Sequence, residues 1–136
     1  MNVEVKEEYQ SVLELKDIYF EKIDFKRPED LKSKFSVDID SKYRKIDGTV
    51  FEVKLFCKIL AGDHLTLDLV LVGIFDNKGS DPEITEEINE ENTVAIMFPY
   101  LRAEVSIITS QPNFPTLNLQ PVNINAMMAD KKSKEN

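Results

Sequence analysis

The stretch Phe35–Phe75, "FSVDIDSKYRKIDGTVFEVKLFCKILAGDHLTLDLVLVGIF", decides the fold, because three strand patterns are divided in it by two tight-turn signals. Phe35, Val37, Ile39 and Tyr43 alternate with Ser36, Asp38, Asp40, Lys42 and Arg44, which is the pattern of a half-buried antiparallel strand. Asp47-Gly48 then marks a turn, since both residues tolerate the backbone angles of tight hairpins. The next strand sets Phe51, Val53, Leu55, Cys57, Ile59 and Ala61 on one face against Glu52, Lys54 and Lys58 on the other. Gly62-Asp63 turns it into a last strand. That strand begins by alternating Leu65, Leu67 and Leu69 with His64, Thr66 and Asp68, then becomes apolar on both faces from Val70 to Phe75. Such a run predicts cover on both faces, from its own chain or from another subunit.

Upstream, "VLELKDIYFEKIDF" places Leu13, Leu15, Tyr19, Ile23 and Phe25 at odd positions, so a fourth strand with one apolar face is predicted there. Arg27-Pro28 and "EDLKSK" end it. Downstream, Asp81-Pro82 has the form of an N-cap and first helical residue, and the glutamates of the acidic run Glu83–Glu91 suit the positive end of a helix. Val94, Met97, Leu101, Val105 and Ile108 recur at helical spacing, with Ile96, Tyr100 and Ile107 widening the stripe. Pro99 predicts a bend or local break in this helix. A connector, "NFPTLNLQPVN", follows from Asn113 to Asn123, and a short helix is predicted over about Asn123–Ala129. The expectation is one α+β domain over residues 1–136, with frayed ends at 1–10 and 130–136: a four-stranded antiparallel sheet, one long kinked helix and a short C-terminal helix.

Composition narrows the function. Seventeen Lys and Arg against twenty-five Asp and Glu give a net charge of -8, which repels phosphate backbones and disfavours nucleic acid as a partner. No run has the length of a membrane span and the acidic N-terminus is unlike a signal peptide, so the protein is read as cytoplasmic and not inserted in a membrane. One cysteine, Cys57, and one histidine, His64, make neither a disulfide nor a zinc set. The four glycines form no phosphate loop, and Asp38 with Asp40 reads as a solvated strand face rather than a carboxylate pair. No catalytic constellation is present, and no cofactor is predicted.

The segment "FPYLRAEVSIITSQPNFPTLNLQPVNINAMM" resembles the SecB export chaperones, whose pattern runs Phe-Pro-Tyr-Ala-Arg-Glu, a helix, then Phe-Pro-x-Leu-x-Leu-x-Pro-Val-Asn-Phe-x-Ala-Leu. Phe98, Pro99, Tyr100, Arg102, Phe114, Pro115, Leu117, Leu119, Pro121, Val122, Asn123 and Ala126 match it without a gap, and a weaker likeness extends over roughly residues 13–129. The resemblance implies a homotetramer built as a dimer of dimers, and an ATP-independent chaperone that holds unfolded preproteins in an apolar groove and delivers them to the SecA translocase. Carried over by position, the polypeptide-binding residues are Phe114, Leu117, Leu119, Val122 and Met127, with help from the sheet edge. Prolines on either side stiffen the extended backbone so that its apolar side chains stay available. The SecA-docking acids are represented by Asp68 alone, with Lys22 and Lys26 standing where acids are usual. Ala103 replaces the motif's glutamate, Gln111-Pro112-Asn113 replaces Arg-Gly, and the chain ends soon after Met128. These departures favour an alternative in the same family, a dedicated chaperone of a toxin–antitoxin system or other single client without SecA docking. A small enzyme on the same scaffold is the third reading.

Overall fold

A computed structural model describes residues 13–78, 86–120, 126, 127, 129 and 130. Four strands, β1 (Leu13–Phe25), β2 (Phe35–Asp47), β3 (Val50–Ala61) and β4 (His64–Asn77), precede one long helix, α1 (Glu86–Thr109). The sheet is antiparallel with the order β1-β4-β3-β2, so β1 and β2 are its outer strands. Both hairpin turns carry a glycine with positive φ, Gly48 at 56° and Gly62 at 61°, a conformation open to glycine without a Cβ clash. The described residues after the connector, Ala126, Met127, Ala129 and Asp130, are helical, which agrees with the short C-terminal helix. The expected cap at Asp81-Pro82 and the expected frayed ends lie outside the described residues, Asp130 excepted.

The core forms where the odd-numbered face of β3 and β4 meets α1. Phe51, Val53, Leu55, Cys57, Leu67, Leu69, Leu71 and Phe75 are buried there against Val94, Met97, Leu101 and Val105. Gly73 lets the helix come this close, because a Cβ at that position would lie 2.6 Å from Phe75 Cε2 and 2.9 Å from Met97 Sδ. α1 runs through Pro99 without a break. A mid-helix proline costs about 3 kcal/mol, whereas each of the four fully buried helix side chains contributes about 1.5–3 kcal/mol, so packing outweighs the lost backbone bond.

One expectation about the sheet is corrected. β1 does not keep one apolar face: its pairing with β4 shifts between Leu15 and Asp17 and again between Phe20 and Lys22. Each shift inserts a charged residue, Lys16 or Glu21, and reverses the alternation, so Leu13, Leu15, Ile18, Phe20 and Phe25 pack on the core. Tyr19 and Ile23 stay exposed at 44% and 52%. The run Val70–Phe75 is covered on both faces, as expected, and its own chain supplies the cover. Val70 and Val72 lie on the face away from α1, where their cross-strand neighbours are Lys22 and Phe56, and Tyr19 and Lys54, and both valines are buried. Ion pairs from Lys22 Nζ to Asp68 (2.7 Å) and from Lys54 Nζ to Glu21 (3.0 Å) hold the two lysine stems across that face.

The helical stripe is narrower than its spacing suggests. Ile96, Tyr100 and Ile107 do not widen the buried face but form a separate outward row, with Tyr100 48% and Ile107 64% exposed. A single sheet offers a helix one contact face, and Val94, Met97, Leu101 and Val105 occupy it.

Candidate functional site

The connector begins with a built stop to α1. Thr109 Oγ1 donates to Val105 O (2.7 Å), Ser110 N to Ile107 O (3.3 Å) and Gln111 Nε2 to Ile108 O (2.8 Å), which satisfies carbonyls of the last turn. Asn113 then adopts φ 55°, at the position where the SecB pattern carries glycine. Asparagine is among the few side chains that enter this region at low cost, so Asn113 can turn the chain here without a glycine.

The turn delivers Phe114 to one end of the sheet. Its ring packs edge-on against Phe25, at the end of β1, with centroids 5.3 Å apart, and against Phe35, at the start of β2, at 5.8 Å. The Arg27 guanidinium lies 6.0 Å from the ring centroid and donates from Nη1 to Pro112 O at 3.2 Å. Phe114 is thus a buried anchor.

Beyond Phe114 the chain is extended and tied to the helix rather than to the sheet. Leu117 N donates to Thr109 Oγ1 (2.9 Å), and Arg102 Nε donates to Leu119 O (2.9 Å). Ser106 Oγ shares its proton between Asn118 Oδ1 (3.0 Å) and Leu117 O (3.3 Å). Arg102, Ser106 and Thr109 recur at helical spacing on one side of α1, so a single helix face fixes the segment. A cavity of about 290 Å³ remains between residues 117–120 and β2, lined by Phe35, Val37, Ile39 and Ile59 below and by Leu117 and Leu119 above. Val37 is 46% exposed in it. A second hollow of about 280 Å³ lies on the other side of Leu119, against Pro99, Arg102 and Ala103.

The residues named from the sequence therefore take different places. Leu117 and Leu119 line the cavity, and Phe114 anchors the segment beside it. Met127 is half-buried and packs on the core cluster, and Val122 lies outside the described residues. Asp68 is buried on the opposite face of the sheet, with its carboxylate 2.7 Å from Lys22 Nζ. That hydrogen bond and the negative charge of Asp68 raise the Lys22 pKa above 10.5. Cys57 is buried at the sheet centre, where desolvation first and the charges of Asp68 and Asp38 next push its thiol up to about 12. Among the described residues, no three His, Cys, Asp or Glu side chains gather as a metal site, and no helix is long and apolar enough to cross a membrane.

The resemblance gave the sheet edge only in general terms and named neither Phe35, Val37 and Ile39 as the floor of the cavity nor Arg102 as the fastener of the connector. The alternation marks Phe35, Val37 and Ile39 as inward-facing, but nothing local shows that α1 leaves them partly uncovered. The spacing of Arg102 and Ser106 was the available signal for the tether.

Comparison with known proteins adds family evidence to this geometry. The family profile described as "Preprotein translocase subunit SecB" matches residues 5–135. A protein-export protein SecB of Alcanivorax borkumensis is 29% identical, covering 95% of this chain and 91% of the relative. An uncharacterised protein of Methanocaldococcus jannaschii is 32% identical over 74% of this chain and 70% of its own length. Among solved structures, a Mycobacterium tuberculosis SecB-like chaperone, in complex with a ChAD peptide from the HigA1 antitoxin, superimposes with a TM-score of 0.64. That match covers 82% of this chain and 88% of the other at 20% identity, a likeness of fold.

Proposed function

The chain belongs to the SecB family, and from that membership we propose that it is an ATP-independent chaperone that holds unfolded polypeptide in the cavity between residues 117–120 and β2. The carrying observation is that cavity: an apolar trough of about 290 Å³ whose upper wall is tied to α1 and so does not close on its floor. Extended apolar segments gain by leaving water there, while a folded domain presents nothing narrow enough to enter. Relatives named as export proteins point the same way, to a binding protein rather than an enzyme. Leu117 and Leu119 make the contact, and Phe114 holds their segment in place. Val122 and Met127 extend the binding surface. The outward row of Ile96, Tyr100 and Ile107 on α1 supports a homotetramer, in which burying it removes an exposed apolar strip from water. The cytoplasm is the working compartment of this reading.

Suppression of the aggregation of a slow-folding preprotein tests the function. The wild type is expected to suppress it, and Leu117→Asp and Leu119→Asp to lose at least about tenfold in client affinity, since each sets a charge in an apolar contact. Wild-type protein that leaves aggregation unchanged, or folded variants that act normally, would overturn the assignment.

A second reading, a dedicated client without SecA docking, is favoured by the Lys22–Asp68 pair. It neutralises the one acid carried over for docking by position. A pull-down with SecA separates the two: retention supports export, and its absence supports the dedicated client.

A further inference from the structure

A further cavity, of about 180 Å³, lies at the other end of β2, between the β2–β3 turn and the first turns of α1. It is separate from the trough. Along the α1 side of β2, Phe35, Val37 and Ile39 floor the trough, and Ser41 donates its hydroxyl to Glu90 of α1 at 2.7 Å. Tyr43 and Lys45 come next on the same side and line the new cavity. The Ser41–Glu90 contact thus stands between the two spaces.

The walls are of two kinds. Tyr43 and Phe51 stack with ring centroids 5.1 Å apart and, with Val50, make an apolar wall. Asn77, at the end of β4, makes a polar wall with Glu86 and Asn89, which lie three residues apart on one side of α1. Lys45 and Glu86 bring opposite charges to the cavity, and among the described residues they form no ion pair with each other.

One atom of the polar wall is unsatisfied. Asn77 is only 5% exposed, and its Nδ2 donates to Asn89 Oδ1 at 2.9 Å, but its Oδ1 meets no donor among the described residues. Asn89 also hydrogen-bonds the Tyr43 hydroxyl. Turning both amides over would keep these bonds and leave Asn77 Nδ2 unsatisfied instead, so one polar atom of Asn77 is left over in either orientation. Glu86 selects between them. After burial, its negative charge is what raises the Tyr43 pKa above the ordinary 10.0, so the phenol proton is drawn toward Glu86 and the phenol oxygen accepts from Asn89. That is the orientation with a bare Asn77 Oδ1.

A buried acceptor without a donor is costly, and a ligand that brings one recovers the cost. Water alone underfills the space: one water takes about 30 Å³. Sites for drug-sized ligands begin at about 300 Å³, so the fitting occupant is a small molecule rather than a chain. A simple cation would satisfy Asn77 and Glu86 but be repelled by Lys45, and a simple anion would leave Asn77 Oδ1 without a donor beside a second negative charge. A small molecule with both charges suits every wall.

We propose that this cavity binds a free α-amino acid, whose ammonium donates to Asn77 Oδ1 and the Glu86 carboxylate while its carboxylate pairs with Lys45. A small apolar side chain then lies against Tyr43, Val50 and Phe51. The site is independent of client holding, because Ser41 and Glu90 divide it from the trough.

Isothermal titration of the full chain with L-alanine, L-valine and L-leucine tests the site. Binding of at least one is expected, and no binding of any at about 10 mM overturns the proposal, leaving a cavity that holds water only. For the amino acid that binds best, the N-acetyl derivative, which lacks the ammonium, and the amide, which lacks the carboxylate, are each expected to bind at least about tenfold more weakly. Equal binding of all three forms overturns the proposal, and an amide that binds as well as the free acid does so too, since a chain N-terminus would then serve. Lys45→Met and Glu86→Gln change exposed side chains. Each is expected to fold and to lose about tenfold in affinity, whereas folded variants with wild-type affinity overturn the assignment. If a variant does not fold, the comparison of the three ligand forms decides.

Discussion

β1 and β2 are both outer strands of thirteen residues, yet β1 shifts register twice against β4, at Lys16 and Glu21, while β2 keeps one register against β3 from Phe35 to Lys45. Each extra residue in β1 breaks the regular spacing of its outward N–H and C=O groups and increases the local twist. A broken row is a poor template for another strand, whereas the regular row on β2 is a good one. Side chains sharpen the contrast. The exposed apolar residues of β1, Tyr19 and Ile23, fall on opposite faces because the bulge at Glu21 lies between them, while Phe35, Val37 and Ile39 of β2 share one face and line one cavity. One fold therefore carries an irregular edge and a regular edge, and the difference lies in two inserted residues.

Phe114 joins the two edges, since it touches Phe25 of β1 and Phe35 of β2. Phe114→Ala is expected to cost about 3–5 kcal/mol in urea unfolding, the largest effect here, because it opens a cavity between both strand ends. A loss confined to client binding, with stability unchanged, would show that the anchor serves the groove alone. Hydrogen exchange sharpens the comparison itself. Gly62 N donates to Lys34 O, so the even residues of β2 bond β3, and the outward amides of Val37 and Ile39 are expected to exchange at least about a hundredfold faster than those of Ser36 and Asp38, which open only with the ladder. In β1 the period of two should slip at Lys16 and Glu21; an unbroken period there would contradict the bulges.

The smallest effect belongs to the ion pair from β1 to β4. Asp68 raises the Lys22 pKa above its ordinary 10.5, so the pair stabilises the fold fully below that pH and loses its contribution as pH rises through the raised value. Lys22→Met should therefore unfold slightly more easily than the wild type at pH 7, and the gap should close above pH 10.5. A gap that persists into strong alkali would assign the effect to packing over Val70 instead.

Much of the fold was legible from local pattern. Strict alternation in Phe35–Arg44 and Phe51–Ala61, glycine at each turn, and helical spacing from Val94 to Val105 each give their element directly. β1 was harder because Leu13, Leu15, Tyr19, Ile23 and Phe25 share odd positions as if on one face, whereas the structure inserts Lys16 and Glu21 and changes face at each. Ile96, Tyr100 and Ile107 satisfy the same helical period as the buried stripe, and only the position of the sheet sorts them to the outside. The two-sided apolar run predicted cover for Val70 and Val72 without saying from where, because the residues that shield them, Tyr19, Lys22, Lys54 and Phe56, lie on other strands.

The sequence by itself determined the elements, the turns and an extended, proline-stiffened segment at residues 113–120, because these depend on spacing within a few residues. Only the tertiary structure decided that Leu117 and Leu119 face β2 across a gap. That outcome depends on Arg102 and Ser106 binding carbonyls 17 and 11 residues further along the chain. It depends equally on a strand order that leaves β2 at the edge, and no local period encodes contacts of that separation.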